Sequence, residues 1–156
     1  MKGVFVTLAV AVVVFFTACS DPLGSEDIPD INGTWIVETD LLVEQNTCAL
    51  PNSLFEERKA GNLLNVWQDP TDRSRIQFGV LEGALKPDGA FVTREFKTET
   101  VYRQFPNGVT GVCTWIEGKF SGNRVDVKFF SQITPPPSYP ECEVIRFYRA
   151  NRTAGG

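Results

Sequence analysis

There is no histidine anywhere in the 156 residues, and that one absence excludes a good deal. It removes the commonest side-chain metal ligand and the commonest general base together. Also missing are a glycine-rich phosphate loop, a Cys/His spacing suited to a metal, and a Gly-x-Ser-x-Gly nucleophile elbow. Acids such as Glu38, Glu95 and Glu117 are scattered along strand-like segments, where carboxylates usually make a solvated face. Cys113 has no histidine to activate it as a nucleophile. Neither catalysis, nor a metal, nor a cofactor is expected. Positive charge is absent from one stretch: between Cys19 and Glu57 there are acids but no Lys or Arg. The formal net charge is −4, and the chain from Arg58 onward is net basic. That mild basicity is not the clustered footprint of a nucleic-acid binder, so no nucleic-acid partner is expected.

Long apolar runs are scarce too, with one exception at the start. Lys2 precedes a continuous apolar stretch from Val4 to Phe16, followed by Thr17-Ala18 and then Cys19. A basic start, an apolar middle and a small-residue cleavage site make a secretory signal, and the run is too short to prefer a spanning helix. Phe16-Thr17-Ala18-Cys19 resembles the lipobox of bacterial lipoproteins, with Phe16 where that family usually has an aliphatic residue. The resemblance implies a signal peptide over 1–18, lipidation of Cys19 and a lipid-anchored place in the bacterial cell envelope. Ser20 after the cysteine points, by the same resemblance, to the outer membrane. An ordinary signal peptide cleaved nearby is the alternative. With Cys19 lipidated, Cys48, Cys113 and Cys142 remain, an odd number in an oxidising compartment. One disulfide and one leftover thiol are expected, and sequence alone does not choose the pair.

Residues 19–30 read as an acidic tether, broken by Pro22 and Pro29 and expected to stay extended and solvated. A strand then opens at Asn32-Gly33-Thr34-Trp35. Trp35, Val37, Thr39, Leu41 and Val43 alternate with their neighbours, which puts them inside and leaves Ile36 and Leu42 outside. Ser53-Leu54-Phe55-Glu56 has the pattern of a capping box, so a short helix is expected from about Leu54 to Ala60, either as a lid or as a plug burying Leu54 and Phe55. Further strands are expected over Leu63 to Trp67, Arg75 to Leu85 (with a bulge or bend near Gly79), Ala90 to Lys97, Thr98 to Phe105, Thr110 to Phe120, Arg124 to Ser131 and Glu141 to Ala150. Pro87-Asp88-Gly89, Pro106-Asn107-Gly108 and Ser121-Gly122-Asn123 supply the turns. Eight strands with short turns specify an all-β fold, with one short helix between the first two strands and a frayed tail over 153–156.

These residues resemble the lipocalin-like (calycin) barrels. The marker is Gly33-Thr34-Trp35 entering the first strand, together with an arginine near the end of the last, Arg149 or Arg152, to stack over the tryptophan. The resemblance covers 31–152 and implies a single eight-stranded antiparallel up-and-down barrel. In such a barrel the first strand pairs with the last, bringing Cys48 near Cys142; Cys113–Cys142 is the runner-up if the proline-rich stretch over 132–140 lets Cys142 fold over. The chain is short and lacks the C-terminal helix of typical lipocalins, which leaves open whether its barrel is hollow or filled with side chains.

Three functions are compatible with that reading. The first is binding of a small hydrophobic or amphipathic ligand, as the family resemblance implies, with Trp35, Val37, Leu41, Phe78, Val127, Phe129 and Phe147 on the inner wall. The second is a periplasmic protein-binding or enzyme-inhibiting barrel that contacts its partner through Asn46-Thr47 and Ser138-Tyr139. The third is a structural envelope lipoprotein with no ligand. Trp67 and Trp115 are candidates either for a ligand site or for the core and rim.

Overall fold

The computed structural model describes residues 27–101, 109–135 and 139–153. Cys19, the leader and Ser138 lie outside them. The described residues form ten strands: β1 Gly33–Val37, β2 Leu42–Asn46, β3 Leu63–Gln68, β4 Arg75–Phe78, β5 Leu81–Leu85, β6 Ala90–Thr93, β7 Phe96–Val101, β8 Val109–Ser121, β9 Arg124–Thr134 and β10 Cys142–Arg152. All pairings are antiparallel. The order runs β1-β3-β4-β5-β6-β8-β9-β10-β2, and β1 also pairs with β10, so the sheet closes on itself. β1 and β2 are two halves of one interrupted strand along β10, and β6 and β7 are two halves of another along β8. Counted this way the barrel has eight strands in a simple up-and-down meander.

Side-chain hydroxyls carry the sheet across both interruptions. Between β1 and β2, the Arg149 N–H donates to Thr39 Oγ1 at 3.1 Å. Between β6 and β7, the Ile116 N–H donates to the buried Thr93 Oγ1 at 2.8 Å. A buried N–H without such a partner would cost about 1–3 kcal/mol, so these threonines make the breaks tolerable.

Three expectations change here. The stretch over 75–85 is a hairpin, β4 and β5, turning tightly at Gly79-Val80 with Phe78 paired to Leu81. Gly79 has φ 62°, at the first position of a two-residue loop, where glycine takes the left-handed conformation without strain. The segments read as two strands, Ala90 to Lys97 and Thr98 to Phe105, are over their described residues 90–101 one interrupted strand, residues 102–105 lying outside the described ones. The short helix is a single 3-10 turn, Asn52–Leu54, following Pro51 with no side-chain cap. It cannot continue as expected from Leu54 to Ala60, because Glu57 exchanges backbone hydrogen bonds with Leu41 at 2.9 and 3.2 Å. The Asp40 carboxylate also takes the Lys59 and Ala60 N–H groups at 3.1 Å each. Phe55 is nonetheless buried, and Leu54 packs beside it.

The packed fold starts before Ile31. Ile28 rests on the core, and the Pro29 carbonyl accepts from Gln68 Nε2 at 3.0 Å. At the other end, Thr153 still bonds to the Thr34 carbonyl.

Two apolar clusters fill the barrel at different heights. The lower one is an aromatic floor. Trp35 lies 5.1 Å from Phe120, ring centre to ring centre, and Phe91 lies 5.0 Å from both Phe78 and Phe120. Val125, Val127 and Ala150 complete it without solvent exposure. The upper cluster joins Phe55, Val112, Ile133 and Val144 around the disulfide Cys48–Cys142. The walls are unequal. β8 has 13 residues and β9 and β10 have 11 each, whereas β4 has 4 and β5 has 5. The short side ends at the Gly79-Val80 turn and leaves the barrel open against the tall wall.

Candidate functional site

Where the short wall stops, the inward side chains of the tall wall face open space. An apolar chamber of about 360 Å³ lies there, bounded by Phe78 to Leu81 on the low lip, Phe96 and Thr98 on β7, Thr114 and Ile116 on β8, and Phe129, Tyr148 and Leu64 at the back. Val80 and Phe96 form its rim, 82% and 50% exposed. A second chamber of about 220 Å³ opens sideways where β1 breaks, lined by Val37, Leu41, Leu64, Phe129 and Tyr148, but also by Glu57, Lys59, Asn62 and Arg146. Leu64, Phe129 and Tyr148 line both spaces and so partition them.

Arg146 gives the sideways chamber its character. A register shift between Ile145 and Arg146 against β2 accompanies its place among the inward residues of β10. Its guanidinium lies 4.5 Å over the Phe129 ring, and Nη2 donates to the buried Ser131 Oγ at 2.6 Å. These two contacts hold a long side chain in one orientation, an arrangement suited to guanidinium, which stacks and donates at once. Tyr148 is buried, and burial pushes its phenol above the ordinary range, keeping it protonated.

The expected wall residues divide. Trp35 and Val127 are sealed in the floor, and Phe78 belongs to the floor with an edge on the apolar chamber. Val37 and Leu41 line the sideways chamber, and Phe129 lines both. Phe147 departs from its expected place. It stands on the outer face beneath the Arg149 guanidinium at 5.8 Å and lines an outer crevice with Val92 and Lys128. The inward parity of β10 is set by Cys142, Val144, Tyr148 and Ala150. That alternation would have located Arg146 and Tyr148, but their polar ends read as outward-facing. Nothing in sequence spacing pointed to Leu64, Phe96 or Ser131.

Of the two expected arginines, Arg152 is the one at Trp35. It stands opposite Trp35 across the β1–β10 seam, and its guanidinium donates to the carbonyls of Asp30 (3.2 Å) and Asn32. A Cβ on Gly33, whose φ is +138°, would lie 3.4 Å from Arg152 Nε. Arg152 thus clamps the entry loop by hydrogen bonds, while the guanidinium-over-ring contacts among the described residues are those of Arg146 and Arg149. Arg149 lies outside, with Nε 2.8 Å from the Asp126 carboxylate.

The remaining candidates face away from the chambers. Trp67 is on the outer surface, and Trp115 stacks on Phe130 with centres 5.0 Å apart. Cys113 is free and pairs in register with Lys97 and Gln132, while Cys142 is tied to Cys48, so the Cys113–Cys142 alternative does not form. Asn46 and Thr47 brace their own loop: Asn46 bonds to Leu50, Asn52 and Cys48, and Thr47 to Glu143. Among the described residues no group of three or more His, Cys, Asp or Glu is placed to hold a metal ion. No family model, curated protein or solved structure matches the chain.

Proposed function

We propose that this protein is a lipoprotein of the bacterial cell envelope, anchored through Cys19, whose barrel holds a small amphipathic ligand in its open half. The observation that carries this reading is the pair of adjoining chambers, one apolar and one bearing a fixed guanidinium. A few placed polar groups within a mainly apolar concavity are what small-molecule sites are made of. A core solid throughout would have favoured protein binding by the loops. The floor and the cluster around the disulfide are packed in that way, but spaces remain between them beside Leu64, Phe129 and Tyr148.

Native mass spectrometry of protein purified from an envelope fraction tests the binding. A discrete co-purifying small molecule, lost on organic extraction, is expected. A bare mass, with no gain after incubation with an envelope lipid extract, contradicts it. The anchor is tested separately by growth with a traceable fatty acid: the label is expected on the wild-type chain and absent from Cys19→Ser. A wild-type chain without label overturns the anchor and leaves the barrel reading standing.

A further inference from the structure

The tall wall ends on one side in β7, and among the described residues the outer edge of that strand is unpaired. β7 pairs with β8 alone. On its other side β5 reaches no further than Arg94, whose N–H donates to the Glu82 carbonyl at 2.7 Å. Beyond that point no described strand stands on this side, and the apolar chamber opens between the edge and the lip at Val80. Every residue from Arg94 to Glu99 is exposed. A free edge carries a row of N–H and C=O groups that another extended chain can complete. We infer that its occupant is a second copy of this chain, β7 against β7 in antiparallel pairing about a two-fold axis at Thr98.

Charge selects both the occupant and the register. Lys97 and Glu99 lie two residues apart and so share one face of the strand. None of the ion pairs among the described residues involves either of them. Antiparallel pairing centred on Thr98 sets Lys97 of each copy opposite Glu99 of the other, and Thr98 opposite itself. Opposite charges and threonine pairs directly across a ladder are favourable, whereas like charges there are unfavourable. A slip of two residues would set Glu99 against Glu99, or Lys97 against Lys97, so the run Lys97-Thr98-Glu99 favours the centred register. An edge lysine by itself keeps other strands away; the glutamate two residues on makes this edge complementary to its own copy, as a two-fold interface requires. Phe96, half exposed at the chamber rim, falls at each end of the five-residue ladder and supplies apolar area for the pair to cover. Cys113 stands opposite Lys97 on β8, so both β7 strands separate the two free thiols. Three strand spacings put them about 14 Å apart, beyond disulfide reach.

The test is native mass spectrometry of the protein purified from an envelope fraction in detergent, over a range of concentrations, with and without reductant. Wild type is expected to form a concentration-dependent dimer that survives reductant, weak because so short a ladder makes a small interface. Lys97→Glu and Glu99→Lys each set like charges opposite one another twice per dimer. Each is expected to raise the dimer dissociation constant about tenfold. Mixed together, the two variants regain both opposite-charge pairs and are expected to form a heterodimer at wild-type concentrations. Both side chains are exposed, and circular dichroism confirms that each variant is folded before mixing. A wild-type chain that stays monomeric throughout overturns the inference. So does a dimer that either single reversal leaves intact, a dimer that reductant dissolves, or a mixture of folded variants without heterodimer. A mass of one copy plus a different polypeptide, lost in both reversals, overturns the second copy and gives the edge to a foreign strand.

Discussion

Trp35 and Arg152 face each other across the seam that closes the barrel, one buried in the floor and the other clamping the loop that leads into it. Trp35 itself donates from Nε1 to the Ile31 carbonyl at 3.2 Å, so ring, loop and arginine form one closure. Trp35→Ala is expected to cost about 3–5 kcal/mol, the range for emptying a large aromatic site. Arg152→Ala, which keeps the floor but releases two carbonyls, is expected to cost about 2 kcal/mol. Urea denaturation followed by circular dichroism measures both, and an arginine variant as damaging as the tryptophan one would contradict the division of roles.

The disulfide ties the end of the first interrupted strand to the start of the last across a separation of 94 residues. Cross-linking so long a loop restricts the unfolded chain strongly, and removing it through a Cys48→Ala/Cys142→Ala pair is expected to cost about 2–5 kcal/mol. Cys113 stays reduced and reacts slowly with alkylating agents at neutral pH, since burial first and the Glu95 carboxylate second push its thiol above the ordinary range. Alkylation before and after reduction, read by mass, checks both statements: reduction should free two further thiols among the described cysteines.

Stability is expected to be flat between pH 6 and 8, because the chain has no histidine and the groups with shifted ionisation move away from that window. On the acid side, partial burial alone would raise the Asp126 carboxyl. The hydrogen bonds and charges of Arg149 and Arg124 together outweigh burial and hold it below the usual carboxylate range. A folded-state value below the unfolded one of about 3.9 means that the stabilisation is complete above it and lost as pH falls through the folded value. Asp126→Asn is therefore expected to be less stable than wild type at pH 7 and to lose that deficit near pH 2. Denaturation midpoints at the two pH values give the comparison.

How much of this could be read from sequence depends on the strand. In the first strand, alternation placed Trp35, Val37 and Leu41 inside and Ile36 and Leu42 outside, as they are. That worked because one face of the strand is apolar along nearly its whole length. The Cys48–Cys142 pair followed instead from the closed barrel that the resemblance implies, in which the first strand runs beside the last. Gly79-Val80 did not read as a turn because the tight loop needs only a glycine and carries no polar signal. Arg94-Glu95 did not read as a mere interruption, since the buried hydroxyl that bridges it, on Thr93, looks like any other strand threonine. The site was least legible. Arg146 and Tyr148 enter the barrel because β10 must keep Cys142, Val144 and Ala150 inward. An arginine holds an interior place only through partners on other strands, here Phe129 and Ser131, which local sequence does not reveal.

Intrinsic fluorescence is a poor reporter of the proposed ligand, because no tryptophan lines either chamber. Methyl-resolved NMR is the most direct measurement. On addition of a fatty acid, the methyl signals of Leu64, Val80, Leu81 and Ile116 are predicted to shift, with those of Val125 and Val127 in the sealed floor unmoved. No shift at any of these methyls, or shifts confined to the outer-face residues Leu42 and Val92, would contradict binding in the open half of the barrel.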